Sequence, residues 1–397
     1  MAPPRREHPL ARGKLADRAN TFLTRAWDKG WLPPPSLDAD DLWALAAKRF
    51  GSEAESGGRS PEDVADYRER LERLTKVVRD EAELNALGTA MAWGQLSRAV
   101  TNRLKLGELW AQRPDLLDTR LAPPIIVIGH MRSGTTRIHK LLAADPAHSH
   151  TRYVDAFHPV ATIGRLTSAF ELAMLGALNP WMQSIHPMAP GEVEEELAWI
   201  SGALHHSIYE SQWHIPGYSA WSEARDPASI YREFRRILRT DAARRGNAAR
   251  PRVMKVPAFS EDLNTLLAHF PDARLVVATR DLAAVHRSAV SLSANQMAVQ
   301  SDSCDLARIE ALWHHKIELR EARMADALSS WNGPITRLEF DALNQNWERE
   351  ITRAYAELGL GLTETALAAM RAAMAKSASD QHQMHSDQLA NFENDRR

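Results

Sequence analysis

The segment from Ile125 to Leu142 reads IIVIGHMRSGTTRIHKLL, and it decides the fold. Its first four residues form a short β-branched run that ends in a glycine, which is typical of a buried parallel strand. The turn bounded by Gly129 and Gly134 leads into residues with the apolar spacing of a helix. Backbone N–H groups in such a turn, and the N-terminus of the helix that follows, attract an anion. The segment therefore predicts a strand, a phosphate-binding loop and a helix.

The side chains of this loop also suit an anion. Ser133, Thr135 and Thr136 add hydroxyl donors, and Arg132 adds a fixed positive charge with bidentate reach. The two glycines have the separation found in the nucleotide-triphosphatase signature GxxxxGK[ST], but Thr135 stands where that signature has lysine. This pattern favours a terminal monophosphate over a magnesium-bound triphosphate. The predicted binding residues therefore include Gly134 together with these four side chains.

Three further runs predict buried strands, and they lie at residues 253–256, 275–278 and 335–340. A helical pattern separates the first two of these strands. Alternation of strand and helix favours a parallel sheet with right-handed crossovers. We therefore expect an α/β fold with a P-loop-type parallel sheet flanked by helices, a helical N-terminal region and a helical cap insertion.

The domain boundaries follow from changes in composition along the chain. A helical N-terminal region is expected over residues 1–121, where Ser60-Pro61-Glu62-Asp63 has the pattern of a helix start. The α/β domain is expected over 122–376, with the cap insertion at 160–250 and a polar tail at 377–397.

Composition excludes several classes of function. The 397 residues carry 49 basic and 51 acidic side chains, so no overall positive charge favours a nucleic acid as partner. No uncharged apolar stretch has the length of a transmembrane helix, and the N-terminus lacks a secretory signal pattern. The only cysteine excludes an intramolecular disulfide framework and is compatible with a reducing cytoplasm, where we expect the protein to reside.

Three blocks of the sequence resemble one protein family. The segment PIIVIGHMRSGTTRIHKLLAADP, from Pro124 to Pro146, resembles the 5′-phosphosulfate loop of PAPS-dependent sulfotransferases, in particular the bacterial branch with PRSGTT or PRTGTT loops. The stretch RVMKVPAFSEDLNTLLAHFPDARLVVATRDLAAVHRSAVSL, from Arg252 to Leu292, resembles the segment of that family that carries the 3′-phosphate site. The sequence LEFDAL at 338–343 resembles the strand that follows, with phenylalanine in place of tyrosine.

The resemblance implies a function and roles for particular residues. PAPS would donate a sulfuryl group to a hydroxyl or amine of an acceptor, leaving PAP, by in-line transfer. Arg280 and Ser288 have the spacing of the family's 3′-phosphate ligands, and Lys255 matches the lysine that faces the sulfuryl group. From the residues alone, Arg280 and Ser288 also fit an exposed turn and a solvated helix face. The family's C-terminal 3′-phosphate motif, Arg-Lys-Gly-x-x-Gly, is absent.

The general base and the acceptor are less clearly indicated. Asp155 falls where many relatives have a glutamate, His158 is three residues further on, and His186 is a weaker third candidate. A loop with several aromatic residues is expected at 209–221, and the segment 170–178 is apolar. Both are equally compatible with the pocket of a small or lipid-like acceptor and with the core of the cap.

Other polar groups are interpreted as structural. The acidic run at Glu192 and 194–196 is predicted to be a solvated helix start rather than a metal site, and the pair His205-His206 to be structural. Two rival functions remain open at this point. The first is a P-loop kinase or triphosphatase, which the absence of the P-loop lysine argues against. The second is a non-catalytic nucleotide-binding relative.

Overall fold

The computed structural model describes residues 6, 8–160 and 164–377. Ahead of the sheet, the described part of the chain forms the helices α1 (Lys14–Asp28), α2 (Ala39–Ala47), α3 (Pro61–Asp80) and α4 (Ala86–Gln112). The predicted helix start is confirmed, because the hydroxyl of Ser60 accepts a hydrogen bond of 3.3 Å from the backbone N–H of Asp63. This contact satisfies one of the N–H groups that a first helical turn leaves without a partner.

The sheet of the described residues contains four parallel strands, β1 (Ile125–Ile128), β2 (Val253–Lys255), β3 (Arg274–Thr279) and β4 (Ile335–Glu339). Their spatial order is β2-β1-β3-β4. The strands lie within a residue or two of the predicted runs, and the α/β fold with a parallel sheet is confirmed. Because β1 leads to β2 on one side and β3 returns on the other, the crevice beyond the end of β1 is the place where open α/β sheets bind ligands.

The remaining helices flank this sheet or form the insertion between β1 and β2. Within the described residues they are α5 (Thr135–Ala144), α6 (Tyr153–Phe157), α7 (Gly164–Leu178), α8 (Met182–Ile185), α9 (Leu197–Gly202), α10 (His206–Glu210), α11 (Pro216–Glu223), α12 (Ala228–Arg245), α13 (Leu263–His269), α14 (Leu282–Gln300), α15 (Leu306–Ser329), α16 (Phe340–Gln345), α17 (Trp347–Glu357) and α18 (Glu364–Ser377).

The two faces of β1 are buried in different parts of the core. Ile126 and Ile128 join a cluster with residues of α12 and α13, whereas Ile125 and Val127 join a cluster with residues of α5 and α17. All four side chains are fully buried. Apolar residues at every position of the strand are what a sheet covered on both faces requires, and this packing fixes the point at which the following loop leaves the sheet.

The N-terminal helices and the insertion share an apolar core. Residues of α2, α3 and α4 cluster with Leu204, Tyr209, Trp213, Ile215 and Tyr218. The expectation of a loop at 209–221 is wrong for most of that range, since α10 ends at Glu210 and α11 begins at Pro216. Pro216 sits in the first turn of α11, where its missing N–H costs nothing.

None of the helices in the described part of the chain has the length and apolar character that crossing a membrane requires. The polar tail predicted for residues 377–397 lies outside the described residues, apart from residue 377.

Candidate active site

The predicted phosphate loop lies at the carboxyl end of β1 and enters α5 directly. Arg132 and Gly134 both have left-handed backbone conformations, with φ of 69° and 87°. A side chain at Gly134 would strain the backbone and would place a Cβ atom 2.9 Å from the ring of Phe340. Arg132 adopts its conformation although it is not glycine, and such strain is concentrated at binding sites. The loop is therefore held in one definite shape by its neighbours.

The hydroxyls of the loop have different partners. Ser133 donates to the carbonyl oxygen of His130 over 2.6 Å and so closes the turn. Thr136 accepts a hydrogen bond of 3.1 Å from Nζ of Lys255, at the end of β2. Thr135 is buried and lines the cavity described below. The first N–H groups of α5 lie beside these hydroxyls and have no partner within the helix, which provides further donors for an anion.

Three of the predicted 5′- and 3′-phosphate ligands lie together. Nε of Arg132 donates to Oγ of Ser288 over 2.9 Å, and a guanidinium nitrogen of Arg280 donates to the backbone oxygen of Arg132 over 2.7 Å. The guanidinium of Arg280 also lies over the ring of Phe340, 4.0 Å from its centroid. The loop, the end of β3 and α14 thus meet at one place.

Two positive charges are concentrated at this point. Burial lowers the pKa of Arg132 to about 10, and the nearby charge of Arg280 contributes in the same direction. Guanidinium groups held close together in a partly dehydrated site repel one another, and a bound anion would relieve that repulsion. The electrostatics of the loop therefore fit a phosphate or sulfate ester.

Lys255 is the second positive centre of the site. Its side chain is almost fully buried, and its ammonium group contacts both Thr136 and the carboxylate of Glu195. A buried lysine needs such a partner, since an isolated charge in the interior is costly. The pair places a cation and a carboxylate side by side next to the phosphate loop.

The acidic run before α9 differs from its prediction. Glu194 and Glu196 are buried, so the expectation of a solvated helix start is wrong. Glu196 accepts hydrogen bonds from the hydroxyl of Thr151 over 2.7 Å and from the backbone N–H of Lys255 over 3.0 Å. Because β2 is at the edge of the sheet, none of the described strands pairs with this N–H, and the carboxylate of Glu196 takes that place. Burial raises the pKa of Glu196 to about 7.

His186 pairs with the second carboxylate of this run. Its Nε2 atom lies 3.2 Å from an oxygen of Glu194. Burial alone would lower the pKa of His186, but the charge of Glu194 and the hydrogen bond between them raise it above its usual value. Both side chains line the same cavity as Lys255.

The two other predicted base residues lie apart from this group. Asp155 forms a bidentate ion pair with Arg152, with distances of 2.6 and 2.9 Å, and lies 3.4 Å from Arg245. His158 lies 3.0 Å from the carboxylate of Glu171. Among the described residues, neither Asp155 nor His158 belongs to the wall of the cavity that contains Lys255.

A cavity of about 540 Å³ opens in front of the loop. Arg132, Thr135, Thr136 and Lys255 line one part of it. Apolar residues of α4, the insertion and α14 form much of the remaining wall, among them Met91, Phe157, Leu175, Leu178, Met182, Met188, Ile208, Leu292 and Val299. The aromatic residues Tyr209 and Tyr218, by contrast, belong to the buried core. The cavity is large enough for a drug-sized molecule beside the loop.

Two groups of imidazole and carboxylate side chains bring their ligand atoms within 4.8 Å of one another in the described residues: His186 with Glu194 and Glu195, and His206 with Glu210 and Glu261. Each already contacts a lysine of the chain. Lys255 lies against Glu195, and Lys316 lies within 3.1 Å of both glutamates of the second group. Since an ammonium group takes the position that a cation would occupy, we assign a metal to neither.

Glu194, Glu195 and Glu196 are not among the functional residues predicted from the sequence. One signal was available, because a lysine that ends a buried strand requires a buried anion nearby. Nothing local indicated which one, since Glu195 and Lys255 lie 60 residues apart in the chain.

Comparisons with known proteins agree with this geometry. A model of the sulfotransferase family matches residues 123–364, more than half of the chain. The structure is similar to that of sulfotransferase STF1 from Mycobacterium tuberculosis, with 27% sequence identity and a TM-score of 0.73, covering 89% of this chain and 97% of that one. It also resembles sulfotransferase STF9 from Mycobacterium avium in fold, with 21% identity and a TM-score of 0.75, covering 87% and 89% of the two chains. A comparison with curated protein sequences found no match.

Proposed function

Because the chain belongs to the sulfotransferase family and is a sulfotransferase, we propose that it takes a sulfuryl group from PAPS and transfers it to a hydroxyl or amine of a small acceptor. One observation carries this proposal. A single cavity is lined by Arg132 and Thr136 of the loop, by Lys255 at the end of β2 and by a large apolar wall. Donor and acceptor therefore have room to meet in one place.

The donor site is assigned to the loop and to the end of β3. Arg132, Ser133, Gly134, Thr135 and Thr136 would hold the 5′-phosphosulfate, through side chains and through the N–H groups at the start of α5. Arg280 and Ser288 would hold the 3′-phosphate. The contact between Arg132 and Ser288 supports this assignment, because it brings the two phosphate sites next to each other.

The chemistry needs a cation and a base. In the transfer, a bond forms between the acceptor oxygen and sulfur, the bond from sulfur to the phosphate oxygen of PAP breaks, and the acceptor's proton passes to the base. Such a reaction is accelerated mainly by positioning and charge stabilisation. Lys255 would stabilise the charge that develops on the departing oxygen, and Thr136 orients its ammonium group.

For the base, the geometry favours Glu195. Its carboxylate contacts Lys255 and lies on the cavity wall, whereas Asp155 is held by two arginines away from that wall. His186 is a weaker candidate, since its raised pKa favours the protonated form. Asp155 and His158 stay predictions from the sequence, and so does the cytoplasmic location.

Calorimetry with PAP, AMP, ADP and ATP tests the donor. We expect PAP to bind much more tightly than AMP or ADP, with affinity unaffected by EDTA, and PAPS to be consumed only when an acceptor is present. Equal affinity for PAP and AMP would contradict the 3′-phosphate site. Magnesium-dependent binding of ATP, tighter than that of PAP, would contradict PAPS as donor.

A further inference from the structure

Helix α4 contains three glycines, and the packing explains only two of them. A Cβ atom at Gly88 would lie 2.0 Å from the backbone oxygen of Gln300, and one at Gly107 would lie 1.9 Å from the backbone oxygen of Ala54. Apart from its chain neighbours and the nearby backbone of its own helix, a Cβ atom at Gly94 would have no heavy atom within 4 Å, and Gly94 has no left-handed backbone conformation. Because glycine inside a helix is less stable than alanine, the helix itself gains nothing from Gly94.

The position of Gly94 suggests a different reason. Gly94 lines the cavity together with Met91, Gln95 and Arg98 of the same helix. Residues three and four positions apart share one face of a helix, so this face of α4 forms a wall of the cavity. A side chain at position 94 would extend into the space in front of that wall.

The cavity wall also indicates what fills this space. Its charged side chains are mostly paired within the protein: Arg98 with Glu171, His186 with Glu194, Lys255 with Glu195, and Arg320 with Glu261. Arg132 of the phosphate loop also has a partner, since it donates to the hydroxyl of Ser288. Most other lining residues are apolar and include four methionines, whose flexible side chains adapt to irregular shapes. Since the charged side chains of this wall are engaged within the protein, as far as the described residues go, the wall suits an uncharged apolar body.

We propose that Gly94 determines acceptor specificity by leaving room for an uncharged, bulky, largely apolar alcohol or phenol. This inference rests on the proposed function, because it places the acceptor in the same cavity as the donor. The hydroxyl of such an acceptor would lie toward Lys255 and Glu195, and its apolar body would lie against Met91 and Gly94 of α4.

The test compares Gly94→Leu with Gly176→Leu. Gly176 is a matched control, because it is also a helical glycine with no atom within 4 Å of an added Cβ, but it does not line the cavity. The probes are 1-pyrenemethanol, which is bulky, and 4-nitrophenol, which is slim, and binding is measured by fluorescence or calorimetry without PAPS. We expect Gly94→Leu to weaken binding of 1-pyrenemethanol about tenfold or more and to leave that of 4-nitrophenol nearly unchanged, since a filled pocket discriminates by size. Gly176→Leu should alter neither.

Gly94→Ala provides a second variant if the leucine variant does not fold, and it should weaken 1-pyrenemethanol binding to a smaller extent. Unchanged binding of 1-pyrenemethanol in the Gly94 variants, equal loss of both probes, or no binding to the wild-type protein would overturn the inference. These measurements need neither PAPS nor PAP. The proposal that PAPS is the donor can therefore be wrong while the size dependence at position 94 is observed, and PAPS can be the donor while no size dependence is observed.

Discussion

The guanidinium of Arg132 donates a hydrogen bond to the hydroxyl of Ser288, although the two residues are 156 positions apart in the sequence. The family resemblance assigns Arg132 to the 5′-phosphosulfate and Ser288 to the 3′-phosphate of one nucleotide. Their contact joins the loop after β1 to α14. If the proposed donor site is correct, a bound donor would require Arg132 to share Ser288 with a phosphate oxygen or to release it.

Replacing Arg280 with alanine tests the 3′-phosphate site. A charge-assisted hydrogen bond is worth about 1.5–3 kcal/mol, so PAP affinity should fall about ten- to hundredfold. AMP has no 3′-phosphate, so it would not contact Arg280 directly. Its affinity should therefore fall much less, through the loss of the hydrogen bond from Arg280 to the backbone oxygen of Arg132. Calorimetry with both nucleotides measures the difference, and Arg308→Ala, at an exposed ion pair, serves as control. Equal losses for PAP and AMP would mean that Arg280 only supports the loop.

Replacing Lys255 with methionine tests the cation of the reaction. We expect kcat to fall about 10²–10³-fold, as for other groups that stabilise charge in a transition state, with little change in PAP affinity. The single variant leaves the carboxylate of Glu195 without its buried partner. The double variant Lys255→Met/Glu195→Gln removes that problem and should recover thermal stability without recovering turnover. Normal turnover in a folded Lys255→Met protein would place the lysine outside the reaction.

The base is identified by comparing three conservative variants. Glu195→Gln should lower kcat about 10²–10⁴-fold, the usual contribution of a general base, while PAP binding persists. Asp155→Asn and His158→Asn should retain most of the turnover, because neither residue belongs to the cavity wall. Turnover with any working acceptor is the measurement, and melting temperatures show whether loss of the Asp155–Arg152 pair disturbs the fold. An inactive, folded Asp155→Asn beside an active Glu195→Gln would restore the assignment made from the sequence.

Glu196 should make stability depend on pH in a defined direction. Burial raises its pKa in the folded protein to about 7, above its usual value of 4.5. The folded protein therefore binds this proton more tightly than the unfolded chain does. The resulting stabilisation is complete below about pH 4.5 and is lost as the pH rises to about 7, by about 3 kcal/mol in total.

Urea unfolding of the wild type and of Glu196→Gln over this pH range measures the effect of that proton. The free energy of unfolding of the wild type should fall relative to that of the variant as the pH rises, because glutamine does not titrate. If the two free energies run parallel with pH, Glu196 has an ordinary pKa in the folded protein.

The sheet and the phosphate loop were predictable because their signals are local. A β-branched run such as 125–128 is buried on both faces, and a glycine-bounded turn after it has few alternatives. The Ser60 cap was predictable for the same reason. The partners of Lys255 were not predictable, because Glu195 and Glu196 reach it from another part of the chain. A run of adjacent glutamates is equally typical of a solvated helix start. The spacing of the aromatic residues at 209–221 does not show whether they face a cavity or a core. Their environment depends on how α10 and α11 pack against α3 and α4.

The wall that α4 contributes to the cavity lies before residue 123, where the match to the family model begins. The donor loop, Lys255 and Arg280 all lie within the matched region. The cavity wall is therefore drawn from both sides of the point where that match begins, since Leu175, Met182 and Leu292 line it from within the matched region. Under the proposed function, exchanging the segment ahead of β1 between related enzymes would change the α4 side of the acceptor pocket and leave the loop residues in place, whereas deleting it would open the cavity on that side.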